Sequence, residues 1–368
     1  MSVNTSRTTY HEHTDTENIL KLRQVLSTLP AFCKDYFRAI DSTTTTKTRI
    51  SYAYDIRIFF QFLLDENPVF KNYAMTDFSV DVLDQIKAID LEEYMEYLKV
   101  YQNGDKTETN GERGLKRKIS ALRSFYAYYY KREMIHSNPT VLIDVPKIHD
   151  KSIIRLDTDE VALLLDYIEH CGDSLTGQKR VYYEKTKERD LAIVTLLLGT
   201  GIRVSECVGL DLNDIDPKNN GIKVHRKGGS EVMVYFGDEV AEALDAYLDE
   251  RLEMEPQEGS KEAVFLSMQN RRINVRSVEN LVKKYSRLVT TVKNITPHKL
   301  RSTYGTTLYQ ETGDIYLVAD VLGHKDVNTT KKHYAAQADS RRRMAARAVQ
   351  LREKPVNTEE EGIPQTKS

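Results

Sequence analysis

The sequence predicts a mainly α-helical protein of two domains, one all-helical and one mixed α/β with a small antiparallel sheet. Three observations carry this. At 368 residues the chain exceeds what one ordinary hydrophobic core organises. Apolar residues recur three and four apart through most of its length, the spacing of a helix face. Only one segment, around residues 222–236, reads as two β-rich runs about a glycine turn.

Taken in order, residues 1–17 are polar, rich in Thr and His, and expected to be disordered; they do not resemble a secretory signal. Over 17–38, Ile19, Leu22, Val25, Leu26 and Leu29 fall at helical spacing until Pro30 interrupts them. A second helix follows the threonine run 43–46, with Tyr52, Ile56, Phe59, Phe60 and Leu63 on one face. A third starts near Asp90, a candidate N-cap, and carries Leu91, Tyr94, Met95 and Leu98. After a polar loop at 102–111, a fourth runs over 112–133 with Leu115, Ile119, Leu122, Phe125, Tyr126 and Tyr129 inward. These elements define a helical domain at 18–138. Residues 139–157, with Pro139 and Pro146, form a linker candidate. A second domain is expected at 158–352 and a disordered polar tail at 353–368. Asp157 or Thr158 caps the first helix of the second domain, and 187–199 is apolar all round and therefore a buried helix. The two strands at 222–226 and 231–236 come next. Helices are expected at about 238–252, 275–290, 298–311, 314–322, 326–334 and 340–351.

Charge and cysteine content narrow the class. Lys and Arg number 53 against 55 Asp and Glu, a net charge of −2, which by itself does not announce an anionic partner. The charges are segregated, however. Basic residues gather at 113–118, 131–132, 226–227, 283–284, 331–332 and 341–343, and local charge governs binding. Cys33, Cys171 and Cys207 show no paired spacing, so a reducing cytoplasm is expected and each reads as a small packed hydrophobe. No apolar run is long enough to span a bilayer.

Six positions stand out together: Arg203 after Gly199-Thr-Gly-Ile; Lys227 in the hairpin turn; His298 and Arg301, one helical turn apart; His324 after Gly323; and Tyr334. Their types suit phosphoryl transfer at a DNA phosphodiester. A phenol is a workable reversible nucleophile. Two guanidinium groups can hold the non-bridging oxygens and offset the charge that grows in a pentacoordinate transition state. Lysine can protonate a leaving oxygen, and imidazoles can donate or shuttle protons. No carboxylate cluster has metal-ligand spacing, so neither metal nor cofactor is expected.

Each position also has a plainer structural reading. Arg203 could start a helix paired with Glu206; Lys227 could be a solvated turn residue; His298 could cap; His324 could follow a helix C-terminus. A lone HxxR is weak; the ordered set is specific.

Those residues resemble the tyrosine recombinase, or phage integrase, family, and within it the bacterial Xer resolvases, over about residues 40–340. The segments that carry the resemblance are Glu188-Arg-Asp-Leu-Ala-Ile with Gly199-Thr-Gly-Ile-Arg203-Val-Ser-Glu206, then His298-Lys-Leu-Arg301 and Leu322-Gly-His324. The helix with Thr48, Tyr52, Asp55 and Phe59-Phe60, and the stretch Lys118-Ile-Ser-Ala-Leu-Arg123-Ser-Phe-Tyr126, read like the family's core-binding domain. Ser302 stands where the family often has His.

The resemblance implies a SAM-like core-binding domain and a catalytic domain forming a C-shaped clamp on DNA. It assigns Arg203 and Arg301 to the phosphate, Tyr334 to attack, Lys227 to the leaving oxygen, His298 and His324 to support, and Glu206 to ordering Arg203. Lys116, Arg117, Lys118 and Arg123 are expected DNA contacts, and the basic helix past the tyrosine is expected to dock on a neighbouring protomer. The implied reaction passes through a 3′-phosphotyrosine and a Holliday junction within a homotetramer on a partly palindromic DNA core, with a DNA translocase as a further candidate partner. The implied roles are chromosome or plasmid dimer resolution in chromosome partition and cell division, or integration and excision of a mobile element. A non-cleaving DNA-binding regulator and a type IB topoisomerase-like relaxing enzyme are the alternatives from other classes.

Overall fold

The computed structural model describes residues 10–149, 153–226, 229–324, 326, 327 and 330. The chain divides into two compact units, Met1–Lys151 and Ser152–Ser368, so the division falls inside the segment 139–157. No helix among the described residues is long and apolar enough to cross a membrane.

The first unit is helical. It contains α1 (Tyr10–Leu26), α2 (Cys33–Ala39), α3 (Thr46–Glu66), α4 (Val82–Gln85), α5 (Ala88–Tyr97) and α6 (Glu112–Lys131). α1 starts at Tyr10, which corrects the expectation of disorder for the last part of 1–17. Thr14 and Thr16 donate back to the carbonyls of Tyr10 and Glu12, and Thr46 donates to Asp15 from the start of α3. Asp90 is the third helical residue of α5, not its cap: its carboxylate accepts the Lys87 N–H at 2.7 Å. The polar stretch after α5 is a short antiparallel hairpin, β1 (Val100–Asn103) and β2 (Lys106–Thr109). The sequence hides it because β2 is exposed along its whole length, so no alternation of burial marks it.

The core of this unit is aromatic. Phe59, Phe60, Phe125, Tyr126 and Tyr129 are buried together, and most of the neighbouring ring pairs meet edge to face or tilted. Buried tyrosines need partners for their hydroxyls. Tyr36 donates to Ser124 and Tyr129 to the Phe32 carbonyl, at 2.9 and 2.7 Å. Beyond α6 the chain stays packed: Ile143 lies in the same core, and Arg123 on α6 donates to the carbonyls of Thr140 and Ile143. The first residues of the expected linker thus pack against α6.

The second unit contains α7 (Thr158–His170), α8 (Gly177–Glu184), α9 (Lys187–Thr200) and α10 (Val204–Gly209). A three-stranded antiparallel sheet follows, ordered β3 (Ile215–Asp216), β4 (Gly221–His225), β5 (Glu231–Tyr235). Then come α11 (Asp238–Glu253), α12 (Val275–Val289), α13 (Pro297–Thr312) and α14 (Ile315–Leu322). The expected helices at 326–334 and 340–351 lie, apart from residues 326, 327 and 330, outside the described residues.

α9 is the central element, packed on by α7, α11, α12 and α13. That explains its composition: a helix covered on every side is apolar all round, and Ile193, Val194, Leu196 and Leu197 are fully buried. Its first turn carries a buried polar pair, Arg189 and Asp190. Asp190 accepts from Arg189 at 2.6 Å and from the Tyr285 hydroxyl at 3.2 Å. Of the cysteines, Cys33 and Cys207 are buried and Cys171 is half-buried. Burial pushes the Cys207 thiol up to about 12, which suits a packed hydrophobe.

Candidate active site

The site is organised by the C-terminal end of α14. The last carbonyls of a helix have no intrahelical donor and carry its negative pole. Here four in succession are taken by arginines from three other places in the chain. Arg226, just past β4, donates to Asp320 at 3.2 Å and Val321 at 2.6 Å. Arg301 of α13 donates to Leu322, and Arg203, at the start of α10, donates to Gly323 at 3.4 Å.

The helix can end this way because Gly323 is left-handed, at φ 61°, which turns the chain and gives His324 its N–H bond to the Ala319 carbonyl at 2.9 Å. The His324 imidazole is half-buried, and its Nδ1 meets the Thr330 hydroxyl at 2.7 Å.

Arg301 is 5% exposed. Its second donor goes to the Gly201 carbonyl at 2.6 Å. Gly201 ends α9 at φ 63°, and a Cβ there would lie 2.4 Å from the Tyr304 ring and 2.9 Å from the Leu322 side chain. Only glycine meets both requirements, positive φ and close approach. One guanidinium therefore ties the end of α9 to the end of α14.

Arg203 is held by a single carboxylate at two points. Glu206 accepts the Arg203 backbone N–H at 2.8 Å and its guanidinium at 2.7 Å. The plainer reading, a helix-start arginine paired with Glu206, and the reading of Glu206 as the group that orders Arg203 describe the same geometry. The Arg203 side chain remains 37% exposed, while that of Glu206 is 5% exposed. An anion could therefore reach the guanidinium from solvent.

His298 is exposed at the start of α13, after Pro297. Ser302, one turn on, is buried and donates to the His298 carbonyl at 3.0 Å. Lys227 and Tyr334 lie outside the described residues. Among the described residues no group of three or more His, Cys, Asp or Glu side chains could hold a metal ion.

In the first unit the expected DNA contacts separate into two kinds. Lys116 is exposed on α6. Lys118 is 6% exposed and faces the buried carboxylate of Asp55 at 3.5 Å, which Arg117 also contacts. Arg123 is half-buried on the two carbonyls already described. The charge of Lys118 and two of the donors of Arg123 are thus engaged inside the unit.

Sequence reading passed over Arg226. It appeared only as half of a basic pair, and nothing local marks it as a ligand of a helix almost a hundred residues further along the chain.

The model of the phage integrase family matches residues 155–341. Tyrosine recombinase XerC of Caldanaerobacter subterraneus subsp. tengcongensis is 32% identical over 308 residues, covering 81% of this chain and 80% of that protein. Tyrosine recombinase XerS of Streptococcus uberis is 30% identical, covering 84% and 93%. The XerH recombinase bound to a palindromic difH substrate, in a post-cleavage complex, superposes with a TM-score of 0.60 at 19% identity, covering 83% of this chain and 79% of that one. The Tn1549 transposon integrase in complex with circular intermediate DNA gives 0.61 at 20% identity, covering 85% and 98%. The structural likeness speaks for the fold and the sequence likeness for descent: the chain belongs to the phage integrase family, the site-specific tyrosine recombinases.

Proposed function

We propose that Arg203 and Arg301 hold the scissile phosphate of a partly palindromic DNA site while Tyr334 attacks it. The phenolic oxygen forms a bond to phosphorus, and the bond from phosphorus to the 5′ oxygen breaks. The strand is left as a 3′-phosphotyrosine. Lys227 gives its proton to the departing 5′ oxygen, and the phenol's proton passes to an imidazole, His298 or His324. Reversal on a partner strand seals the joint and leads through a Holliday junction. The bond energy is kept in the phosphotyrosine.

The observation that carries this reading is the convergence of Arg203 and Arg301, far apart in sequence, on the adjacent carbonyls of Leu322 and Gly323. Donors fixed before the substrate arrives need no reorganisation when charge develops. Exposed Lys116 is the proposed backbone contact in the first unit; such contacts position the duplex without reading sequence. The assembly proposed is a homotetramer on two sites, and the Xer resemblance favours resolution of chromosome or plasmid dimers.

The test uses a DNA site selected from a randomised duplex pool by binding to the Tyr334→Phe protein. That duplex, nicked near the scissile phosphate so that religation fails, should trap a covalent protein–DNA adduct with the wild-type chain and none with Tyr334→Phe. Binding without an adduct in the wild type would mark a non-cleaving regulator and sink the proposal.

A further inference from the structure

We propose that Arg226 is a positioning residue that ties the end of β4 to the end of α14, and so restrains the backbone from which Lys227 follows. This rests on the reading of Lys227 as the acid for the leaving 5′ oxygen. A lysine ammonium sits on a flexible four-carbon stem, so its position must be fixed by the backbone that bears it. The strand ladder supplies that only as far as the pair His225 and Glu231. Beyond it the turn is closed by Arg226 N–H to the Ser230 carbonyl at 2.8 Å and by Gly229 N–H to the Arg226 carbonyl at 3.1 Å. Lys227 and Gly228 are the two residues between these anchors. A hairpin held only at its base would swing as a lever.

Three observations place the restraint in the Arg226 side chain. Its two terminal nitrogens bind successive carbonyls of α14, Asp320 and Val321. Its Nε is buried with no partner among the described residues, so this side of the guanidinium is packed against protein. It also packs closely on Gly323, where a Cβ would come within 2.0 Å of Nη1. The end of β4 is thereby tied to the same helix end that holds Arg203, Arg301 and His324. The strand end that leads into the proposed acid and the proposed phosphate ligands share one frame.

The chemistry provides a test that separates positioning from folding. In the ordinary duplex the breaking bond releases an alkoxide-like 5′ oxygen that needs a proton. With sulfur in that bridging position the leaving thiolate needs none. Single-turnover cleavage is measured for wild type, Arg226→Ala, Arg226→Lys and Lys227→Ala on both nicked duplexes. On the oxygen duplex, Arg226→Ala should be slower by about 10- to 100-fold, part of the roughly 100- to 10,000-fold that general acid catalysis provides. On the sulfur duplex it should recover to near the wild-type rate, as should Lys227→Ala. Arg226→Lys keeps the charge but cannot fork onto two carbonyls, so it should show the same pattern; it also serves as the folded variant if Arg226→Ala does not fold. An Arg226 variant slow on both duplexes, while Lys227→Ala recovers on sulfur, would overturn the positioning role alone. Lys227→Ala remaining slow on sulfur would overturn the acid assignment and the positioning role with it. Arg226→Ala at the wild-type rate on oxygen would also overturn the positioning role.

Discussion

Lys118 of the first unit and Arg301 of the second are buried cations held in different ways. In the first, buried Lys118 and half-exposed Arg117 face one buried carboxylate, Asp55. In the second, Arg301 and Arg226 are gripped by peptide carbonyls at the ends of α9 and α14. A carboxylate offsets part of the charge it holds. A carbonyl holds the geometry without itself carrying a negative charge. The pKa directions agree for the first unit. Burial pushes Asp55 up and Lys118 down, against their mutual attraction, as expected of a pair that serves packing. In the second unit Arg203, more exposed than Arg301, also has a carboxylate partner, Glu206.

The contrast can be broken most sharply at Arg301. Arg301→Lys keeps a cation but cannot bridge Gly201 and Leu322. Covalent adduct formation on the nicked duplex should fall by about 100- to 1,000-fold, the usual effect of losing one preorganised donor. Adduct formation at the wild-type rate would mean that carbonyl-held arginines are structural after all. In the first unit the corresponding change should act on stability. Asp55→Ala strands a buried ammonium and should destabilise by about 3–5 kcal/mol in denaturant unfolding. The double variant Asp55→Leu, Lys118→Met removes both charges and should recover most of that loss. It should also leave the salt dependence of DNA binding unchanged, whereas Lys116→Ala should lower the slope of log affinity against log salt by about one.

What the sequence reveals follows the same division. Periodicity places α3, α6, α9 and the β4–β5 hairpin within a few residues, because each buries a regular face or ends in glycine. It does not reveal β1 and β2, which bury almost nothing. Motif spacing marks Arg203, Arg301 and His324. It cannot separate Lys116 from Lys118, two residues apart on α6. Which of them is buried depends on Asp55 arriving from α3, a tertiary fact. Arg226 was illegible for the same reason, since its partners are backbone carbonyls that any sequence would present.

Gly201→Ala tests the carbonyl-held side more gently. The new methyl meets the Tyr304 ring, and the backbone is held at positive φ. A loss of about 1–3 kcal/mol is expected from strain of this kind. Adduct formation should fall with it, because the Gly201 carbonyl that holds Arg301 must shift. A destabilised variant with full single-turnover activity would uncouple the end of α9 from the phosphate site.

The smallest effect isolates burial itself. Lys293 pairs with Asp157 at 2.9 Å and with Glu160 at 2.5 Å, joining the start of α7 to the loop before α13, and its side chain is 29% exposed. Here the shifts run opposite to those at Asp55 and Lys118. The hydrogen bond from Lys293 holds Asp157 below the ordinary aspartate range, and the hydrogen bond to Glu160 holds Lys293 above the ordinary lysine range. The Asp157 contribution is complete above its unfolded value, about 3.9, and fades as pH falls through its lowered folded value. The Lys293 contribution is complete below its unfolded value, about 10.4, and fades as pH rises through its raised folded value. Lys293→Gln should therefore lose less than about 1 kcal/mol, level across the neutral range, reduced by added salt and vanishing in acid. A loss that grew on acidification, or that ignored salt, would mean that this pair behaves like the buried one, and that burial is not what separates the carboxylate-held cations of the core from those at the surface.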